Sequence, residues 1–166
     1  MPHIIYQTKG IVLSKKDFGE AERMYSIYTE KFGMISAMAQ GVRLLKSKLR
    51  YNLDLFTYGN FAVVRGKDIW RITDTEGIKK INNNHNYDNL FVFARIAGFL
   101  LRMIKGEERN NFIWSEIKNL YFNLNSESEI LTIARILHNL GYMAEIPKSK
   151  KEMITAINKA IKESML

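Results

Sequence analysis

Cysteine is absent from this 166-residue sequence. Its absence excludes disulfide bonds, cysteine-ligated zinc and a cysteine nucleophile within the chain. Long apolar runs are missing too, because residues 96–101 form only a core-sized segment and a membrane span needs roughly 20 apolar residues. The first residues lack the basic start and apolar stretch of a secretory signal. We therefore expect a cytoplasmic protein with no membrane attachment.

Recognisable catalytic motifs are also lacking. His3, His85 and His138 lie far apart in the sequence and do not show metal-ligand spacing. The ten glycines form no phosphate-binding loop, and no serine stands in a nucleophile elbow. We therefore expect no enzyme activity, no cofactor and no bound metal.

Positive charge, in contrast, is abundant and unevenly distributed. The net charge is +8, with +6 in residues 1–80 and +2 in residues 81–166. The densest cluster lies in residues 40–50, which contain four cations and no acidic residue. A basic connection between strands favours a polyanionic partner such as nucleic acid. A solvated charged loop is the alternative that charge alone leaves open.

The first half of the chain reads as short strands separated by turns. A polar break is predicted at residues 14–17, a hairpin turn at residues 30–33 with Gly33 in a positive-φ position, and a bulge at Gly59. The predicted strands are residues 6–13, 22–29, 34–39, 55–65 and 69–76. Five short strands in about 75 residues favour a small closed barrel, and the OB-fold is the natural candidate.

The apolar period changes from two to about 3.6 after the polar stretch at residues 81–86, which we interpret as a domain boundary. One helix is predicted from Asp88 as N-cap to Gly106, and a second around residues 113–124. Capping-box patterns that start at Ser126 and Ser149 predict two more. The predicted fold is therefore α+β, with an N-terminal five-stranded OB-fold β-barrel in residues 1–80 and an all-α helical domain in residues 81–166.

Cations and aromatic residues are interleaved in the first half, a combination that suits single-stranded nucleic acid. Most of the aromatic side chains are expected to fill the barrel core, and Tyr51 is the preferred exposed one. The cations of the predicted DNA-binding surface are Lys9, Lys15, Lys16, Arg43, Lys46, Lys48, Arg50, Arg65, Lys67 and Arg71.

Arginines recur at seven-residue spacing in the helical half, at Arg95, Arg102 and Arg109. If the helix extends that far, they line one side of it, beside apolar residues. Such a stripe suits an acidic peptide with a hydrophobic tip. A solvated edge with local ion pairs is the alternative. Arg95, Arg102 and Arg135 are the candidate partner-binding residues.

Six short segments, in register, resemble the bacterial recombination mediator family RecO over roughly residues 6–142. They are residues 8–13 (TKGIVL), 19–23 (GEAER), 33–37 (GMISA), 41–43 (GVR), 55–56 (LF) and 137–142 (LHNLGY).

The resemblance implies an OB-fold followed by a helical domain, and a role in DNA repair and recombination. It implies binding of single- and double-stranded DNA, strand annealing and assistance in loading a RecA-type recombinase. It also implies RecR and the acidic C-terminal tail of the single-stranded-DNA-binding protein as partners. The DNA-facing role of the family's basic connection falls on Arg43, Lys46, Lys48 and Arg50.

Two features depart from the family pattern. Many members continue into a cysteine zinc module, whereas this chain has no cysteine. Some members carry a basic pair early in the third helix, where Ile130 and Leu131 stand here. A non-catalytic OB-fold adaptor that mainly contacts proteins, and an RNA-binding OB module, remain alternative functions.

Overall fold

The computed structural model describes residues 3–81 and 87–165. Five strands precede four helices in this part of the chain. The elements are β1 (Ile5–Phe18), β2 (Glu22–Thr29), β3 (Gly33–Ala39), β4 (Tyr58–Arg65), β5 (Trp70–Lys79), α1 (Tyr87–Met103), α2 (Asn111–Phe122), α3 (Ser126–Asn139) and α4 (Lys150–Ser164). Residues 3–81 and the segment Ile104–Arg109 form one compact unit, and the four helices form another.

The five strands close into a barrel in the order β1-β2-β3-β5-β4. The β3–β5 pairing is parallel, and the other four pairings are antiparallel. A five-stranded barrel followed by helices confirms the predicted α+β class with an N-terminal OB-fold.

The predicted break after residue 13 is wrong, because β1 continues to Phe18. A register shift between Val12 and Ser14 divides the strand. The part before the shift pairs mainly with β4, and the part after it pairs with β2. The polar run at residues 14–17 therefore reflects exposure to solvent, because backbone pairing in a strand does not require apolar side chains.

Alternating inward side chains from all five strands build the barrel core. Val12, Ile27, Ile35, Phe61 and Ile72 are among its members, and each is at most 3% exposed. The core also contains Tyr25 and Trp70. The prediction that most of these aromatic side chains are buried is confirmed, because the buried ones also include Tyr28, Phe56, Tyr58 and Phe61.

The turn between β2 and β3 depends on Gly33, as predicted, with a φ of +67°. Thr29 stabilises this turn, because its hydroxyl donates to the Gly33 carbonyl at 2.9 Å and accepts from the Phe32 amide at 3.1 Å. The backbone of Glu108, in the segment Ile104–Arg109, lies so close that a Cβ on Gly33 would be 2.2 Å from the Glu108 carbonyl oxygen.

The fourth strand begins at Tyr58, three residues later than predicted. Phe56 has a φ of +62°, which is incompatible with a strand. Its amide instead donates to the Val12 carbonyl at 2.9 Å, and the Val12 amide donates to the Thr57 carbonyl at 3.0 Å. The β4–β5 register does shift between Tyr58 and Gly59, but the extra residue is Ile78 of β5, so the predicted bulge lies in the partner strand.

Two of the predicted helix ends are displaced. The first helix begins at Tyr87, so Asp88 lies within its first turn and not at the N-cap. A carboxylate in the first turn stabilises a helix through its interaction with the helix dipole. It ends at Met103, before Gly106. The predicted boundary at residues 81–86 lies almost entirely outside the described residues.

The caps of the third and fourth helices differ in how well the sequence indicates them. The N-cap of α3 is Asn125, whose side chain accepts from the Ser128 amide at 2.7 Å, so the predicted cap at Ser126 is off by one residue. The N-cap of α4 is Ser149, as predicted, and it accepts from the Glu152 amide. None of the helices that the structure describes is long and apolar enough to cross a membrane.

Candidate nucleic-acid interface

The connection between β3 and β4, residues 40–57, is hereafter the basic loop. Two of its apolar side chains enter the barrel core, because Val42 is 0% exposed and Leu53 is 1% exposed. Leu49 packs against the same core. The side-chain amide of Asn52 also donates to the Thr75 carbonyl on β5 at 3.2 Å. These contacts fix the loop on the barrel, so its cations are presented from a defined backbone.

The start of the basic loop is hydrogen-bonded to the β1–β2 turn. The Arg43 amide donates to the Ala21 carbonyl at 3.1 Å, and its guanidinium donates to the Gly19 carbonyl at 3.0 Å. Asp17 lies 3.7 Å from the same guanidinium. A hydrogen bond from Arg23 holds the pKa of Asp17 below its usual range, so this carboxylate stays charged near neutral pH. Arg43 is therefore tied to the barrel.

The far end of the basic loop contains its one acid, Asp54. Lys80 donates to this carboxylate at 3.0 Å, and Lys15 lies 3.6 Å from it. Lys80 also donates to the Tyr51 carbonyl. The single negative charge of the loop is thus matched by two lysines from other parts of the barrel unit.

Three cations of the basic loop remain exposed and without an ion pair among the residues that the structure describes: Lys46, Lys48 and Arg50. Tyr51 follows them and is 72% exposed, which confirms it as an exposed aromatic of this loop. The loop therefore offers three adjacent positive charges and one aromatic face to solvent.

A row of four side chains crosses the outside of the barrel. Cross-strand partners share a face, and the register pairs Lys16 with Met24, Met24 with Met38, and Met38 with Arg71. The two cations are exposed and the two methionines are half-buried. The outer face of β2 and β3 is the surface that OB-folds use for oligonucleotides. The row therefore adds two candidate phosphate-binding residues, Lys16 and Arg71, to the basic loop. Met24 and Met38, hereafter the methionine strip, form a polarizable apolar surface between them.

The cations near the β4–β5 turn have different surroundings. Lys67 is exposed in the turn itself. Arg65 lies 5.2 Å above the Trp70 ring and 3.3 Å from the Glu107 carboxylate, in the segment Ile104–Arg109. The Trp70 indole donates to that carboxylate at 2.8 Å. Arg65 therefore already holds an anionic partner within its own unit.

Lys9 lies apart from the other predicted DNA-binding residues. The register places it beside Asn60 on β4, and Asn60 beside Glu76 on β5. Glu30 and Asp74 line the same shallow depression. Lys9 thus faces a surface of mixed charge that is less suited to a phosphate backbone than the basic loop is.

The candidate partner-binding arginines of the helical unit are mostly engaged. Arg95 forms two hydrogen bonds to the Glu129 carboxylate, both of 2.7 Å, and this raises the pKa of Arg95. Arg135 lies 3.4 Å from Glu116, and Arg102 is exposed in the last turn of α1. The predicted seven-residue stripe stops at Arg102, because α1 ends at Met103.

Sequence reasoning missed Met24 and Met38 as surface candidates, Lys80 as a loop anchor, and Glu107 as a partner of Arg65. The methionines were detectable, since they alternate with buried residues in β2 and β3. The contacts of Lys80 and Glu107 join residues 26 or more positions apart, and no local pattern indicates them.

No group of three or more metal-binding side chains lies close enough, among the described residues, to hold a metal ion. The exposed lysines and arginines and Tyr51 are side chains of the kinds that suit electrostatic binding and stacking.

A family model and several curated relatives match this chain. Residues 1–81 match the family model described as the N-terminal domain of recombination protein O. The DNA repair protein RecO of Clostridium novyi is 26% identical over 87% of this chain and 59% of its own length. That of Dehalococcoides mccartyi strain CBDB1 is 36% identical over 64% of this chain and 42% of its own length.

Among solved structures, the asparaginyl-tRNA synthetase of Entamoeba histolytica matches 90% of this chain and 35% of its own, at 12% identity and a TM-score of 0.36, which is too low to support any comparison. The chain spans about half the length of the curated relatives that it matches. The family match covers the barrel and the relatives extend into the helices, so this chain is similar to proteins of the RecO family over both of its units.

Proposed function

We propose that this chain is the DNA-binding part of a DNA repair and recombination protein, and that it acts without catalysis on single- and double-stranded DNA. One observation carries the proposal: Lys46, Lys48 and Arg50 are exposed and form no ion pair among the described residues. The one acid of their loop, Asp54, is already paired with Lys80 and Lys15. The names of the relatives, DNA repair protein RecO, support the same role.

The proposed mechanism is neutralisation of phosphate charge. Two DNA strands repel each other, and a basic surface that holds both lowers the free-energy cost of bringing them together. Lys16 and Arg71 extend the positive surface from the loop onto the barrel, and the methionine strip between them provides an apolar contact for bases. Complementary strands held in this way pair more readily, and a recombinase gains access to the bound single strand.

The test is fluorescence anisotropy of a labelled single-stranded DNA oligomer at several salt concentrations. Roughly five phosphate contacts, from Lys46, Lys48, Arg50, Lys16 and Arg71, predict a slope of log K against log salt of about −3 to −4, since each contact to a single strand contributes about −0.7. Binding that is weak and has a shallow slope would contradict the proposal and favour the adaptor alternative. An RNA oligomer of the same sequence, titrated in parallel, distinguishes the RNA-binding alternative.

The proposed protein partners are RecR and the acidic tail of the single-stranded-DNA-binding protein. A groove in the helical unit supports the second of these, because it combines apolar residues with two lysines at its rim. Its lining residues are Glu127, Ile130, Leu131, Lys148, Lys150 and Met153. The lysines suit the negative charges of the tail, and the apolar floor suits its hydrophobic end.

A labelled acidic peptide with apolar C-terminal residues tests this groove. We expect the double variant Lys148→Ala/Lys150→Ala to weaken peptide binding by about tenfold, because both rim charges are lost. Arg102→Ala, which removes an exposed cation of α1, serves as the control and should leave binding unchanged. If Arg102→Ala weakens peptide binding strongly and the double lysine variant does not, the peptide binds at the arginines of the helical unit and not in this groove.

A further inference from the structure

Two adjacent leucines occupy the tip of the basic loop. Leu44 is 57% exposed and Leu45 is 85% exposed, whereas Val42 and Leu53 of the same loop are buried in the barrel core. Single exposed apolar residues are common on protein surfaces. A neighbouring pair of strongly exposed leucines in a charged loop, on a segment that buries Val42 and Leu53, indicates an apolar contact with a partner.

The backbone around the two leucines is held by successive turns. Gly41 has a φ of +63°, and its carbonyl accepts from the Leu44 amide at 3.0 Å. The Leu44 carbonyl accepts in turn from the Ser47 amide at 3.0 Å. Val42 is buried and Arg43 is hydrogen-bonded to the β1–β2 turn, so the backbone that precedes the leucines is held in place. Binding a partner through the two leucines therefore costs little conformational entropy.

The charges around the tip identify the class of partner. Arg43 precedes the leucines and Lys46, Lys48 and Arg50 follow them, and no acid occurs between residues 40 and 53. A partner must therefore place an apolar surface within a few ångströms of several negative charges. DNA does so wherever a base is unstacked between two phosphates, and apolar side chains of nucleic-acid-binding proteins insert at such steps.

We propose that Leu44 and Leu45 form a wedge that inserts beside unstacked bases, so that the loop favours single-strand–duplex junctions and mismatched sites over continuous duplex. This inference rests on the proposed function, because the cations of the loop supply the phosphate contacts that bring the wedge to the DNA. Unstacking is least costly where a base lacks a partner, and the wedge therefore selects such sites. The leucines replace the stacking that the displaced base loses.

The test compares wild type with the double variant Leu44→Ser/Leu45→Ser. Both positions are exposed, so the substitution leaves the core unchanged; circular dichroism and thermal unfolding verify this. Three labelled DNAs are used: a single strand, a perfect duplex, and a duplex with a single-stranded tail and 2-aminopurine at the junction. The salt dependence of binding to the single strand is measured for both proteins.

We expect wild type to prefer the junction over the perfect duplex and to raise the 2-aminopurine fluorescence as the base unstacks. The serine variant should lose about tenfold in junction affinity for each leucine that is buried on binding, and should lose the fluorescence change. Its salt slope on the single strand should equal that of wild type, because no cation has been removed.

Three outcomes would overturn the wedge. Equal junction affinity and fluorescence change in both proteins, with tight single-strand binding, would reject the wedge and leave the proposed function intact. Binding of anionic phospholipid vesicles that the serine variant loses, without a junction preference, would assign the leucines to a membrane surface. Absence of DNA binding by wild type would reject the proposed function together with the inference.

Discussion

Replacement of Gly33 by alanine is expected to lower the free energy of unfolding by about 3 kcal/mol or more, a value typical of severe steric conflict. The residue has a φ of +67°, which costs alanine more than glycine. The larger effect is steric, because the new Cβ would lie 2.2 Å from the carbonyl oxygen and 2.8 Å from the carbonyl carbon of Glu108. The main chain has to move, since neither atom belongs to a flexible side chain.

Gly106→Ala is the matched control for this substitution. Gly106 also has a positive φ, of +85°, but no heavy atom beyond the residue itself and its two chain neighbours lies within 4 Å of the position where its Cβ would stand. It therefore isolates the conformational cost, about 1 kcal/mol. Urea denaturation followed by circular dichroism measures both variants. If Gly33→Ala lowers the free energy of unfolding by no more than Gly106→Ala does, the Glu108 backbone does not pack closely against the turn.

The same substitution has a second, local readout. Displacement of the Glu108 backbone also moves Glu107, which accepts from the Trp70 indole and pairs with Arg65. We expect the environment of Trp70 to change in Gly33→Ala and to stay the same in Gly106→Ala. Near-ultraviolet circular dichroism detects this change in the folded state, independently of stability.

Removal of three charges from the basic loop is the prediction with the largest effect on binding. The triple variant Lys46→Ala/Lys48→Ala/Arg50→Ala is expected to bind single-stranded DNA about 100-fold more weakly at ~0.1 M salt, because each lost phosphate contact costs about fivefold there. The three side chains are exposed, so stability should change little. Fluorescence anisotropy measures the affinity.

A triple variant of the same charge separates a local contact from a general effect of net charge. Lys151→Ala/Lys159→Ala/Lys162→Ala removes three exposed cations of α4. We expect its DNA affinity to stay within about twofold of wild type, since charges outside the contact surface are screened at this ionic strength. Equal losses of DNA affinity in the two triple variants would indicate that binding depends on net charge, and would show that the basic loop is not the binding site.

Much of the barrel was predictable from local sequence. The alternation of residues 22–29 and the glycine at position 33 indicated β2 and the following hairpin, because strand period and turn chemistry are local properties. The end of β1 was not predictable in this way. Residues 14–17 are polar because they face solvent, and a local pattern does not distinguish an exposed strand from a loop.

The candidate site was less predictable, since long-range contacts decide the roles of its cations. Arg43 and Lys46 look equivalent in sequence, yet Arg43 is bonded to the β1–β2 turn and Lys46 is exposed without an ion pair among the described residues. Likewise, Glu129 appeared to belong to a capping box, but it pairs with Arg95, which is 34 residues away. The register of four strands, which no single segment specifies, brings Lys16 and Arg71 into one row.

The central claim is that the cations of the basic loop contact DNA phosphates directly. The slope of log K against log salt, measured for wild type and for the triple loop variant on one single-stranded oligomer, tests it most directly. Three lost contacts predict a slope that is shallower by about 2 in the variant, because each contact to a single strand contributes about 0.7. Equal slopes in the two proteins would show that Lys46, Lys48 and Arg50 release no counterions on binding, and would contradict the claim.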